Sequence, residues 1–172
     1  MVESPAPRAF VLTVSDRTHA GQRPDASGPQ LVTRLTQLGF VVVGTEVVPD
    51  GIESVGSALR RIAGPEVGLL VSTGGTGLTP RDLTPEATRR VGEREVPGLM
   101  ELARRRCTEV VPVAALGRGV AVTLGSTLIV NLPGNPRAAL ETLDAMSDVL
   151  AHAVSTLTKP AADCDVTGTG TP

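Results

Sequence analysis

The chain has 172 residues, 41% of them hydrophobic and 20% charged, with a formal net charge of −2. That length is enough to bury a real core within one domain, and no apolar run approaches the length of a membrane span. The slight negative charge and the 1% aromatic content, Phe10 and Phe40 alone, provide neither a basic field nor stacking platforms, so neither nucleic acid nor membrane is expected as a partner.

Residues 1–7 carry neither the basic start nor the apolar stretch of a signal peptide, which predicts a flexible N-terminus and a cytoplasmic address. Phe10 to Val14 reads as a buried strand, with Ser15, Asp16 and Arg17 opening the loop at its carboxyl end. Leu31, Leu35 and Leu38 then fall at helical spacing, with Ser27 as cap, Pro29 in the first turn and Gly39 as terminator. The β-branched run Val41 to Val48 predicts a second strand that closes at Pro49, Asp50 and Gly51, followed by a helix over 52–62.

Val67 to Val71 predicts a third strand, and it feeds the most informative segment of the chain, Thr73, Gly74, Gly75, Thr76 and Gly77. Three near-adjacent glycines let backbone amides approach an anion closely, because no Cβ stands in the way. The loop opens a helix at Thr84 and Pro85, whose amino end also attracts negative charge. The only lysine is Lys159, so the lysine-bearing phosphate loop is ruled out, and Pro80 stands where a dinucleotide fingerprint needs its last glycine. The cradle must therefore work through amides, hydroxyls, Arg81 and carboxylates. Asp82 and Asp50 are the candidates to meet a phosphate-borne Mg²⁺, an ion that is commonly bound through one or two carboxylates.

A helix from Pro97 to about Arg106 follows, and 110–116 is compatible with strand, loop or short helix. Gly119 to Leu124 and Thr127 to Leu132 predict two strands joined by a two-residue hairpin at Gly125 and Ser126. The corner Pro133, Gly134, Asn135, Pro136 puts a cap and a first-turn proline at the start of a final helix running to about Leu157. Residues 159–172 are small and polar and predict a disordered tail, leaving a single domain over 8–158. His19, His152, Cys107 and Cys164 stand at no metal-ligand or triad spacing, and the unpaired cysteines fit a reducing compartment.

Alternating strands and helices predict an α/β fold of three layers: a mainly parallel sheet with helices on both faces and a short hairpin in the C-terminal half. The loops at Ser15 and Asp16, at Asp50, at 73–82 and at 133–136 all follow strands. In a parallel sheet they gather on one edge, where ligands bind.

Taken together, 14–16, 25–29, 48–50, 73–87, 125–127 and 132–136 resemble the molybdopterin adenylyltransferases, the family of bacterial MogA and the gephyrin G domains, in the family's order and from about Arg8 to Leu157. The resemblance implies transfer of AMP from Mg-ATP to molybdopterin with release of pyrophosphate. It also implies a homotrimer and passage of the product to a separate molybdenum-insertion protein. It assigns Asp50 and Asp82 to Mg-ATP and catalysis and Ser126 to the molybdopterin site. Substrate binding falls to Thr73, Gly74, Gly75, Thr76 and Gly77 and to Pro133, Gly134, Asn135 and Pro136, with Ser15, Asp16 and Arg81 beside them. A carrier of molybdopterin without turnover, and a nucleotide pyrophosphatase on the same fold, are the alternative readings.

Overall fold

A computed structural model of the chain describes residues 6–158; residues 1–5, Cys164 and the expected tail at 159–172 lie outside the described residues. Six strands form one sheet in the order β2-β1-β3-β6-β5-β4: β1 Arg8–Val14, β2 Val41–Val48, β3 Leu69–Thr73, β4 Arg94–Glu95, β5 Ala121–Leu124 and β6 Thr127–Leu132. The first four in that spatial order pair in parallel, and β5 and β4 add antiparallel pairings at one side. Among the described residues seven α-helices join them: α1 Asp16–His19, α2 Gly28–Gln37, α3 Ile52–Ile62, α4 Thr84–Val91, α5 Pro97–Thr108, α6 Pro136–Asp144 and α7 Ser147–Thr158.

The sheet separates two apolar layers. On one face Val11, Leu69, Leu128 and Leu132 meet Leu31 and Leu35 of α2, Met100 of α5, Leu143 of α6 and Leu150 of α7. On the other, Leu12, Leu70 and Ile129 meet Val55 and Leu59 of α3 and Val91 of α4. Because side chains alternate along a strand, the consecutive residues Leu69 and Leu70 reach opposite layers, and the central strands read as continuous apolar runs. The three-layer expectation is met.

Several local expectations are corrected. Residues 16–19 form the short helix α1 rather than loop, with the Ser15 hydroxyl accepting from the Thr18 amide. Ser27 does not cap α2; Asp25 Oδ1 accepts from the amides of Ser27 and Gly28 while its Oδ2 accepts from Thr13 Oγ1 at 2.6 Å. Helix α4 begins at Thr84 as expected, behind Leu83, with no side-chain cap. Residues 112–116 are a 3-10 turn. Pro7, assigned to a flexible terminus, accepts from the Val41 amide at 2.9 Å.

The single C-terminal helix is two. Arg106 draws the Ala145 carbonyl out at 2.8 Å and pairs with Asp148, while Met146 stays fully buried between the two helices. The chain turns there because a charged donor from α5 takes up a carbonyl that a continuous helix would use itself.

Candidate active site at the carboxyl edge of the sheet

Four parallel strands deliver their following loops to one edge. At the end of β3 the chain turns through Gly74 and Gly75, whose φ angles of 105° and 64° lie in the left-handed region. A Cβ on Gly74 would stand 2.2 Å from the Val14 carbonyl oxygen at the end of β1, and one on Gly134 would stand 3.2 Å from Gly74 Cα. The loops after β1, β3 and β6 thus touch backbone to backbone. Thr73 Oγ1 fastens the contact by donating to the Pro133 carbonyl at 2.7 Å, and the Gly74 amide donates to Leu132 at 3.2 Å. At the corner after β6, Asn135 Oδ1 accepts from the Ala138 amide at 3.1 Å, and Pro136 takes the first position of α6.

Asp16 and Asp50 hold each other by backbone rather than by charge. The Asp16 amide donates to Asp50 Oδ2 and the Asp50 amide to Asp16 Oδ1, each at 3.0 Å, which locks the ends of β1 and β2 and leaves Asp50 Oδ1 beside Gly75. Asp82 Oδ2 accepts from both the amide and the hydroxyl of Thr79, at 2.8 and 2.6 Å. Arg81 lies 3.9 Å from Asp16 and is largely exposed.

Two clefts open here. The smaller, about 200 Å³, is lined by Ser15, Asp16, Arg17, Arg23, Asp50, Thr79, Arg81 and Asp82, so three arginines face three aspartates. The larger, about 480 Å³, runs from Gly75, Thr76 and Gly77 past Met100, Val113, Leu116 and Gly134. Asp82 lines both, and the stretch 77–82 is the partition between them. Such a pair suits one charged, phosphate-rich ligand and one ligand with a flatter, less polar body, brought end to end at Asp82. No group of three or more His, Cys, Asp or Glu among the described residues is arranged to hold a metal ion. Two carboxylates of one cleft, Asp50 and Asp82, fit a Mg²⁺ that arrives on phosphates and keeps waters of its own.

The structure brings Ser15, Asp16, Asp50, Arg81, Asp82, the 73–77 loop and the 133–136 corner to this edge. It does not bring Ser126. That residue sits in the β5–β6 turn, opposite Glu93, and β6 runs from it toward the site, so Ser126 occupies the amino edge of the sheet. The residue implied by resemblance is thus separated from the other candidates by the length of β6.

Two residues at this edge are not among the candidates that the sequence singles out. Asn131 is fully buried in β6 and joins Ser72 of β3, Thr88 of α4 and the Val120 amide. Its trace is an amide side chain inside an apolar strand. Arg118, between Gly117 and Gly119, sends its guanidinium to the Gly77 carbonyl at 2.7 Å, to the Asp82 carbonyl and to the Glu86 carboxylate. The Arg118 guanidinium bonded to Glu86 holds that carboxyl below its ordinary range against the opposing effect of burial. Burial pushes the Cys107 thiol, on the wall of the larger cleft, upward.

A family model described as "Probable molybdopterin binding domain" matches residues 10–152. The chain is 38% identical over 141 residues to the molybdopterin adenylyltransferase of Haemophilus influenzae, covering 80% of this chain and 72% of that protein. It is 40% identical over 148 residues to the molybdenum cofactor synthesis protein cinnamon of Drosophila melanogaster, covering 84% of this chain but only 24% of that longer protein. Among solved structures, the molybdopterin biosynthesis enzyme MoaB from Thermus thermophilus superposes with a TM-score of 0.83 at 46% identity, over 89% of this chain and 98% of that one.

Proposed function

The chain belongs to the molybdopterin-binding domain family of molybdenum cofactor biosynthesis, and from that membership we propose that it transfers AMP from Mg-ATP to the terminal phosphate of molybdopterin. The observation that carries this reading is the pair of clefts meeting at Asp82, one polar with three arginines and three aspartates, the other broader and less polar. A phosphate oxygen of molybdopterin attacks the α-phosphorus of ATP, a new P–O bond forms, the bond to the bridging oxygen breaks, and pyrophosphate leaves with its electron pair. The nucleophile is already an anion, so no general base and no covalent enzyme intermediate are needed.

The obstacle is the crowding of negative charge, and this chain's residues answer it by position. In this reading Arg17, Arg23 and Arg81, which line the smaller cleft, supply the cations that the leaving pyrophosphate needs. The amides of Gly75, Thr76 and Gly77, which line the larger cleft, donate in this reading to the attacking phosphate. Asp50 and Asp82 would hold the Mg²⁺ of Mg-ATP, which when bound neutralises phosphate charge. The closeness of the two clefts aligns nucleophile and phosphorus, the main contribution a protein makes to phosphate transfer.

The resemblance supports a homotrimer, working in the cytoplasm and handing its product to a separate insertion protein. No helix among the described residues is long and apolar enough to cross a membrane.

The test is incubation with Mg-ATP, with and without molybdopterin, following pyrophosphate and adenylylated pterin. Pyrophosphate is expected only with molybdopterin, and Asp82→Asn should lower the rate by roughly 10²–10³-fold while folding normally. Release that does not depend on molybdopterin would point to the pyrophosphatase, and binding of molybdopterin without any release to the carrier.

A further inference from the structure

The partition between the clefts has little to hold it. Residues 77–81 are exposed, and within the stretch the bonds are those between Thr79 and Asp82. A segment with so few buried contacts opens locally at low cost unless something outside it ties it down. The tie comes from across the sheet. Arg118 is rooted by its own amide, which donates to the Thr76 carbonyl at 3.1 Å, and by the buried Val120 two residues on. From there Nε reaches the Gly77 carbonyl and one terminal nitrogen the Asp82 carbonyl, while the other terminal nitrogen pairs with Glu86 in the first turn of α4.

We propose that Arg118 is the positioning residue of this partition: its guanidinium joins the carbonyls at the two ends of 77–82 to each other and to α4, and so holds Asp82 in one place for both substrates. The side chain touches neither cleft's reacting groups; it acts through the backbone on either side of Asp82. All three guanidinium nitrogens are engaged in directions that only a planar fork supplies, so lysine, a single rotatable point charge, cannot replace it. The kinetic part rests on the adenylyl-transfer reading, whereas the mechanical part does not.

Both parts are tested in the full chain with Arg118→Ala and Arg118→Lys. Amide hydrogen exchange is expected to accelerate at least about tenfold across 77–82 in Arg118→Ala while β3 and β6 keep their protection, the mark of local rather than global opening. In the molybdopterin-dependent assay, kcat should fall by about 10²-fold, with the KM for either substrate changed far less, since a displacement near 1 Å misaligns the reaction more than it weakens binding. Arg118→Lys should recover little of the loss, and free guanidinium should restore turnover to Arg118→Ala but not to Asp82→Asn. Unaltered exchange across 77–82, or an undiminished kcat, overturns the proposal. So does a loss that guanidinium does not rescue and that accompanies faster exchange throughout the core, which would make Arg118 a residue of general stability. If the wild-type protein transfers no AMP, the adenylyl-transfer reading fails while the exchange measurement still decides whether Arg118 holds the partition.

Discussion

Gly75 shows how much of the site depends on single atoms. Its φ of 64° disfavours any side chain, and a Cβ there would meet Thr84 Oγ1 at 2.3 Å and Asp50 Oδ1 at 3.3 Å. Thr84 Oγ1 is itself buried without a hydrogen-bond partner among the described residues. Gly75→Ala is therefore expected to cost about 1–3 kcal/mol in backbone strain and displaced neighbours, read from a denaturant midpoint, together with a large loss of AMP transfer. A variant with both quantities unchanged would remove the steric argument. The need for glycine at this position was visible in the sequence, because a strand that runs into three glycines has few other uses. The need for Asn131 and Arg118 was not: two of the three partners of Asn131 lie 43 and 59 residues away and those of the Arg118 side chain 32–41, and no local period or turn chemistry announces such contacts.

Among elements, α4 is where the sheet and the active edge are coupled. Its buried face, Ala87 and Val91, packs in the layer with Leu59 and Ile129, Thr88 joins the Asn131 network, and Glu86 in its first turn is held by Arg118. Glu86 has a carboxyl pKa below its ordinary value near 4.5 in the folded chain. A depressed carboxyl contributes stability that is fully present above its unfolded value and is lost as the pH falls through the lower folded value. Acid titration of the urea midpoint should accordingly show a steeper decline below about pH 4.5 in the wild type than in Glu86→Gln, the two curves approaching each other at the acid end. Parallel curves would mean that the Arg118 pair contributes nothing to folding.

The elements also show where sequence reasoning succeeded and where it stopped. Helix α3 at 52–62, the β5–β6 hairpin and the Asn135 corner are written in nearby residues, as periodicity, a glycine turn and a cap. The break between α6 and α7 is not, because its cause is Arg106 arriving from α5. The cap of α2 was placed on Ser27, one of two good cap residues in the same turn. Only the position of Thr13, across on β1, shows why Asp25 takes that role.

On the scale of the whole molecule, four parallel strands put every loop that follows them on one side, and this is why the motifs at 14–16, 48–50, 73–87 and 132–136 share a single edge while 125–127, which precedes β6, lies at the opposite one. Of the large apolar residues that remain in the open among the described residues, Val41 and Val43 lie on the edge strand β2, Leu78, Val113 and Leu116 line the larger cleft, and Val110 lines neither cleft. Burial between subunits of apolar surface outside the clefts, such as Val110, is the physical content of the homotrimer reading. Light scattering should then give a mass three times the 17.7 kDa of the chain; a monomer at micromolar concentration would contradict it.

The β5–β6 turn, lastly, has a practical meaning. Gly125 and Ser126 cap a ribbon whose six-residue second strand leads to the site, which sets the turn about 20 Å from Pro133. Gly125, at a φ of 55°, has to stay glycine, with open space around it, so an attachment belongs beside it in the turn. The molecule therefore carries its own handle: a dye, an affinity peptide or a surface tether joined there would ride on the rigid sheet, leaving the mouths of both clefts of its own chain facing away from the attachment.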